Sequence, residues 1–214
     1  MTPLHDFDHV RWIGGSASAG KSSVAQTLAE RYGYTIFDCD AAWERHKLIV
    51  TPEDQPTFHR VKGLTWEAIW LRPVSQQLAE ELEIYREEFP LLLADLAALP
   101  TDRPILAEGN ALLPELLVGA GISTDHAIWI VPTLEVQLHH YGQRPWIHDI
   151  LAETSDSETA WRNWMARDAG FAAKVTRQAI ALGCPLITVD GSAPVEATVT
   201  AVERHFGLAP RRTQ

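Results

Sequence analysis

A glycine-rich segment near the start of the chain constrains its fold more than any other feature. Residues 15–22 read G-S-A-S-A-G-K-S and match the P-loop pattern G-x-x-x-x-G-K-[ST] at every position. The apolar residues 9–13 before it predict a strand. After it, Val24, Leu28 and Tyr32 recur at the four-residue spacing of an amphipathic helix. A strand, a tight loop and a helix in this order form the context in which the motif works.

This loop predicts binding of a nucleoside triphosphate. Glycines let the backbone turn tightly, so that consecutive N–H groups point at an anion, and the helix N-terminus adds partial positive charge. Lys21 is expected to contact the β- and γ-phosphates, and the Ser22 hydroxyl to hold Mg²⁺. We therefore predict ATP and Mg²⁺ as cofactors. The expected nucleotide-binding residues of the loop are Gly15, Ser16, Ala17, Ser18, Ala19, Gly20, Lys21, Ser22 and Ser23.

Composition narrows the class of protein. The chain has 214 residues, which predicts a single domain over residues 1–208 and a frayed tail at 209–214. A formal net charge of −10 argues against a surface that coats a nucleic-acid polymer. Neither a signal pattern nor a run of about 18 apolar residues is present, so a cytoplasmic protein without membrane contact is expected. Cys39 and Cys184 lack metal-site spacing, and the expected assembly is a monomer or homodimer.

Four further apolar runs alternate with helical segments and predict a parallel β-sheet. These runs are residues 34–37, 104–108, 127–131 and 185–189. Right-handed crossovers between such strands leave helices on both faces of the sheet. Because ligands of these sheets bind at the carboxyl ends of the strands, one edge should collect the site. That edge is expected to carry the P-loop, Asp38, Asp40, Glu108 and Asp190.

Residues 41–100 separate the second and third strands by far more chain than a crossover needs, which indicates a role of their own. Helices are expected at residues 42–48, 66–71 and 74–98, and the whole region is expected to bind the phosphate acceptor. Trp66 and Trp70 lie one helical turn apart and suit an aromatic wall, although packing in the core is the favoured explanation.

Two carboxylates follow the second strand and one ends the third. Phosphoryl transfer needs groups that orient Mg²⁺ and a carboxylate that accepts the proton of the attacking hydroxyl. Asp38 and Asp40 are two residues apart, so on an extended chain both would face one site, as base and as metal-binding residue. Glu108 ends its strand as a Walker B acid does and is expected beside the metal. A turn-capping carboxylate is the alternative for each of them.

Arginines after the fourth strand predict a lid. Arg144, Arg162 and Arg167 fall in or just after residues 142–154, which are expected to form a loop. A mobile segment over residues 142–167 would close on the triphosphate, exclude water and neutralise charge that develops during transfer. A solvated basic stripe on the following helix is the competing interpretation.

Asp190 and Gly191 directly follow the fifth strand. Their position at the carboxyl edge of the sheet suggests that they line the adenine pocket. A plain turn explains the same residues almost as well.

In this order the features resemble the P-loop superfamily of small-molecule, nucleoside and nucleotide kinases, which includes shikimate kinase, gluconate kinase and chloramphenicol phosphotransferase. Residues 12–23, 132–133, 140–141 and 164–168 are also similar to bacterial kinase-like ATP-binding proteins. The resemblance implies a three-layer α/β fold, with a five-stranded parallel sheet of order 2-3-1-4-5, helices on both faces and a helical lid. It further implies that Asp40 is the catalytic base.

The predicted activity is transfer of the γ-phosphoryl group of ATP to a hydroxyl of a small molecule. The expected catalytic residues are Lys21, Asp38, Asp40, Arg144, Arg162 and Arg167. One alternative is a nucleotide kinase with a phosphate acceptor, for which Arg45, Arg60 and Arg72 are the candidate ligands. The other is a nucleotide-dependent switch protein that transfers no phosphate.

Overall fold

The computed structural model describes residues 7–208 and contains a five-stranded β-sheet in which all pairs are parallel. The strands are β1 (Val10–Gly15), β2 (Thr35–Asp38), β3 (Ile105–Glu108), β4 (Ala127–Pro132) and β5 (Leu186–Val189). Their order is β2-β3-β1-β4-β5, which confirms the order implied by the family resemblance. The tail expected at residues 209–214 lies outside the described part of the chain.

The strands separate two hydrophobic cores, one on each face of the sheet. Trp12 and Trp129 are fully buried in one core, whereas Ile13 and Ile130, their neighbours in the sequence, are fully buried in the other. Successive side chains of a strand point to opposite faces, which produces this alternation. Because both faces are covered, the central strands are apolar almost throughout.

Ten α-helices lie within residues 7–208. They are α1 (Lys21–Tyr32), α2 (Cys39–His46), α3 (Pro56–Val61), α4 (Trp66–Trp70), α5 (Val74–Ala97), α6 (Pro114–Gly119), α7 (Leu134–Gly142), α8 (Pro145–Ala152), α9 (Ser157–Ala181) and α10 (Val195–His205). Helices α1 and α10 contribute to one core, and α5, α6 and α9 to the other, so the fold has the three predicted layers. None of these described helices is long and apolar enough to cross a membrane.

The segment after α7 differs from the sequence-based expectation. The prediction of a loop at residues 142–154 is wrong, because α8 occupies most of it. Pro145 stands in the first turn of α8, where a helix needs no N–H donor. Ile147 and Leu151 are then one turn apart and pack in a third apolar cluster with Trp164 of α9. Packing of these apolar residues against α9 therefore stabilises this short helix more than the helix propensity of its own sequence does.

The close approach of β1 to β4 requires glycine at the end of β1. A Cβ atom on Gly15 would lie 1.9 Å from the carbonyl oxygen of Ile130, and the residue has φ of +135°. The next residue, Ser16, donates its N–H to the same carbonyl at 3.2 Å. Gly15 therefore lets the chain leave the sheet and enter the P-loop while it remains bonded to β4.

We expect Gly15→Ala to lower the free energy of unfolding by more than about 3 kcal/mol, because the added methyl group meets backbone atoms that cannot move independently. Gly33→Ala is the matched control. Gly33 also has positive φ (+79°), but no other part of residues 7–208 approaches within 4 Å of the place that a Cβ would take. It should therefore cost about 1–2 kcal/mol, the penalty of left-handed backbone alone. Urea denaturation measures both, and equal costs would contradict the steric argument.

Candidate active site

The P-loop forms a concave cradle of backbone N–H groups between β1 and α1. Ser18 and Gly20 both have left-handed backbone, with φ of 64° and 79°, and alternate with right-handed or extended neighbours. Within the described part of the chain, no side chain caps the N-terminus of α1. The hydroxyls of Ser16 and Ser18 are buried and have no hydrogen-bond partner among residues 7–208. A cradle with unsatisfied donors suits an anion such as a phosphate group.

Lys21 lies almost fully buried at the base of this cradle. Its Nζ donates hydrogen bonds to the backbone carbonyl of Ser16 and to Oδ1 of Asn110, both at 2.8 Å. Burial lowers the pKa of Lys21, and the negative charges of Glu108 and Asp40 oppose that change. Sequence reasoning missed Asn110; its one signal was a polar side chain just past the carboxyl end of β3.

Ser22 and Glu108 meet beside the cradle and provide oxygen ligands. Burial raises the pKa of Glu108, while Lys21 and a hydrogen bond from Ser22 lower it. Residues 7–208 contain no group of three or more His, Cys, Asp or Glu side chains able to hold a metal ion. Carboxylate and hydroxyl oxygens are ligands that Mg²⁺ accepts together with phosphates and water, and its binding by Ser22 and Glu108 stays a prediction.

Asp38 and Asp40 do not face one site from an extended chain, so that expectation is wrong. Asp38 is the N-cap of α2, and its Oδ1 accepts the N–H groups of Asp40 at 2.8 Å and Ala41 at 3.1 Å. It lines a shallow groove beside Arg45 and Asp95. Because the helix begins at Cys39, its curvature turns Asp40 away from Asp38 and into a separate cavity.

Asp40 faces this cavity, where solvent reaches it although protein surrounds it on most sides. Burial raises the pKa of its carboxyl group, and Lys21 and Arg144 lower it again. Asp38 contributes a further rise through repulsion between the two carboxylates. The four charged groups Asp40, Lys21, Glu108 and Arg144 are therefore close enough to influence one another.

The three arginines expected in the lid have different surroundings. Arg144 lies with its guanidinium 4.8 Å from the ring centre of Tyr141. Arg162 is 65% exposed on α9, where it donates to Thr159 of the same helix. Arg167 is largely buried in ion pairs with Glu81 at 2.9 Å and Asp168 at 2.5 Å. Of the three, Arg144 alone has a charge that bears on Lys21 and Asp40.

A cavity of about 440 Å³ has Asp40 and helices of residues 41–100 in its wall. Ala17 of the P-loop and Asn110 line it together with residues of α2–α5 and α7–α9. Four indole rings line it, those of Trp43, Trp70, Trp146 and Trp164, and the rings of Trp70 and Trp164 stack at 4.0 Å. The acceptor region predicted from sequence therefore borders a cavity of the size that holds small ligands.

A second cavity, of about 510 Å³, lies on the other side of the P-loop. Ala19, Val136, Asp190 and Gly191 line it. Asp190 accepts hydrogen bonds from the backbone and hydroxyl of Ser192, which lower its pKa. Asp190 and Gly191 thus form a turn and part of a cavity wall, and their contact with adenine stays a prediction.

A buried acid–base pair was not expected from sequence. His46 Nδ1 of α2 and Glu88 Oε1 of α5 lie 2.8 Å apart, with both side chains 1% exposed. Burial raises the pKa of Glu88 to about 8, with Asp40 and Asp95 adding to the rise. Burial also lowers the pKa of His46, with Asp95 opposing the change. Both shifts favour the uncharged forms, as expected for groups withdrawn from water.

No protein-family model and no curated protein matches the sequence. Among solved structures, the chain is similar to shikimate kinase from Acinetobacter baumannii in complex with shikimate, with 17% identity, 94% of this chain and 96% of that chain covered, and a TM-score of 0.46. It is also similar to deoxyadenosine kinase from M. mycoides with bound dATP, with 13% identity, 92% and 99% coverage, and a TM-score of 0.48. An uncharacterized protein from Eubacterium ventriosum has 12% identity, 94% and 98% coverage, and a TM-score of 0.43.

The pair His46–Glu88 predicts a pH dependence of stability. Between pH 4.5 and about 8 the folded protein holds a proton on Glu88 that the unfolded chain releases, so stability falls as pH rises. The lowered pKa of His46 acts in the opposite direction below pH 6.5, where the unfolded histidine binds a proton. The free energy of unfolding should therefore decrease between pH 6.5 and about 8.

We expect Glu88→Gln to flatten this decrease, as measured by urea denaturation across the range. Glu83→Gln, on the same helix but exposed and paired with Arg86, should leave the slope unchanged. An unchanged slope in Glu88→Gln would show that Glu88 ionises as freely in the folded protein as in the unfolded chain.

Proposed function

We propose that the protein is an ATP-dependent phosphotransferase that moves the γ-phosphoryl group to a hydroxyl of a small molecule. One observation carries the proposal. The buried lysine of a P-loop and the carboxylate of Asp40 influence each other's charge, and Asp40 also lines a cavity of ligand size. The proposed phosphate site, the proton acceptor and the cavity for the phosphate acceptor thus lie next to one another.

In this proposal the P-loop N–H groups bind the phosphates, and Lys21 exchanges contacts with Ser16 and Asn110 for phosphate oxygens. The adenine base occupies the second cavity, against Val136 and Gly191. Ser22 and Glu108 would hold Mg²⁺. When bound, the ion supplies neutralisation of charge on the β- and γ-phosphates.

Asp40 accepts the proton of the acceptor hydroxyl. The hydroxyl oxygen forms a bond to the γ-phosphorus, the bond between that phosphorus and the β-phosphate oxygen breaks, and ADP leaves. Lys21 and Arg144 stabilise the negative charge that moves toward the leaving group. They also keep part of the Asp40 population ionised against the effect of burial, which a proton acceptor requires.

The nucleotide-kinase alternative finds less support. Each arginine it would use is already in an ion pair, Arg45 with Asp95 and Arg60 and Arg72 with Glu80. A phosphate acceptor would have to break these pairs. A non-catalytic switch has no need for a ligand-sized cavity beside the phosphate site, and the experiment below separates it from a kinase.

A screen of hydroxyl compounds with γ-labelled ATP tests the proposal, and the variant Asp40→Asn sharpens it. The amide of the variant cannot accept a proton as a carboxylate does, so kcat should fall by about 10²–10⁴-fold while ATP affinity changes little. Asp38→Asn is the comparison, since asparagine caps a helix as well as aspartate does and most activity should remain. Tight ATP binding without any phosphorylated acceptor would favour the switch. Full activity in Asp40→Asn would remove Asp40 from the role of base.

The pH profile tests the role of Arg144. The base must be ionised, so kcat/KM should fall on the acid side with an apparent pKa above the ordinary value for aspartate. The guanidinium of Arg144 lowers the pKa of Asp40, so Arg144→Gln should move this acid limb to higher pH and Arg144→Lys should largely restore it. Arg162→Gln serves as the control and should leave the limb in place. If the acid limb stays at the same pH in Arg144→Gln, the charge of Arg144 does not control the pKa of the base.

A further inference from the structure

The acceptor cavity has an excess of carboxylates in its wall. Its acidic lining residues are Asp40, Glu44, Glu80, Glu81, Glu88 and Asp168. Among the described lining residues, the basic side chains are Arg72 and Arg167. Both are already in ion pairs, Arg72 with Glu80 at 2.5 Å and Arg167 with Glu81 and Asp168. Glu44 also pairs with Lys47 and Glu80 with Arg60, but Glu81 and Asp168 share the single charge of Arg167, so an ionised Glu81 leaves this part of the wall with one carboxylate more than its cations balance.

Several buried polar atoms of this wall have no partner. Gln77 Oε1 and Glu81 Oε2 are acceptors without a hydrogen-bond donor among residues 7–208. The indole Nε1 atoms of Trp70 and Trp164 are donors without an acceptor in the same range. Gln77, Trp70 and Trp164 are 4%, 4% and 5% exposed, so water does not satisfy them freely. Such atoms mark positions where a ligand's own donors and acceptors belong.

These atoms are arranged in two groups. Gln77 and Glu81 are four residues apart on α5 and therefore share one face of that helix. Trp70 of α4 and Trp164 of α9 stack with ring centres 4.0 Å apart, which brings the two indoles together. One part of the cavity thus offers two acceptors, one of them a carboxylate oxygen, and another offers two N–H donors on aromatic rings.

Within the kinase function proposed above, we propose that the acceptor is a polyhydroxylated amine. Its protonated amino group donates to Glu81 Oε2 and Gln77 Oε1 and balances the charge of the wall. Its hydroxyl oxygens accept from Trp70 and Trp164. One remaining hydroxyl faces Asp40. An acceptor with its own carboxylate or phosphate is disfavoured by Glu81 and Asp168.

Titration of Glu81 supports the proposal. Burial raises its pKa to about 7, and repulsion by Asp168 adds to the rise, while Arg167 opposes it. Tyr85 of the same helix donates to Glu81 Oε1, Tyr141 of α7 donates to Asp168, and Arg72 lies close enough to Arg167 to feel its charge. A bound ammonium group favours the ionised carboxylate, so amine affinity should increase as pH rises toward 7, in the range where the amine itself stays protonated.

Calorimetry on the full chain, loaded with a non-hydrolysable ATP analogue and Mg²⁺, tests the proposal. The probes are sets of polyols matched in size that differ in charge, for example glucosamine, N-acetylglucosamine and glucuronate. The amine of a set should bind at least about 10-fold more tightly than its N-acetyl and carboxylate counterparts, because hydrogen bonds to charged groups are the stronger ones. Glu81→Gln should abolish this preference for the amine and the pH dependence of amine affinity.

Glu83→Gln is the matched control on the outer face of α5 and should change neither. Glu81→Asp retains the charge and should keep the preference, which separates loss of charge from loss of fold. The inference is overturned if no amine in any set binds, if a neutral or anionic probe binds as tightly, or if Glu81→Gln keeps the preference and pH dependence. Amine binding without transfer from ATP would refute the kinase function alone, whereas transfer to a neutral or anionic acceptor would refute this inference alone.

Discussion

The buried ammonium group of Lys21 is the interaction on which the rest of the site depends. A cation withdrawn from water is stable only where other groups replace its hydration. Ser16 and Asn110 do so through hydrogen bonds, and Glu108 and Asp40 through charge. These residues end or follow three different strands, so β1, β3 and β2 must be neighbours in the sheet for the lysine to be stable. The interactions that stabilise Lys21 in the site therefore require this order of strands.

The wall of the acceptor cavity depends on a second set of buried charges. Arg167 of α9 pairs with Glu81 of α5, and Tyr141 of α7 donates to Asp168. Asp168 lies on α9 between the buried apolar residues Trp164 and Phe171. Its burial there is compensated by two partners, Arg167 and Tyr141. These contacts join the segment that the sequence suggested as a lid to the helices suggested for acceptor binding. Arg167 contributes to a fixed wall in this arrangement.

Local patterns predicted well wherever one physical signal dominated. The P-loop, the five apolar strands and the alternation that makes the sheet parallel were all readable in the chain. Signals failed where tertiary contacts compete with local ones. Asp38 and Asp40 have the spacing of an extended pair, but Asp38 caps α2 and the helix turns Asp40 elsewhere. The helix at Pro145–Ala152 has a proline and a loop-like beginning, and packing against Trp164 stabilises it.

The sequence by itself determined the P-loop and the class of fold, because glycine geometry, a helix N-terminus and hydrophobic periodicity are local properties. Only the tertiary structure decided which side chains meet. It brings Asn110 to Lys21 and Glu88 to His46, and it places the tryptophans in the wall of the cavity. Such contacts join residues far apart in the chain, for instance Lys21 and Asn110, which are 89 positions apart. Burial and pKa depend on everything packed around a group, and no short window of sequence contains that information.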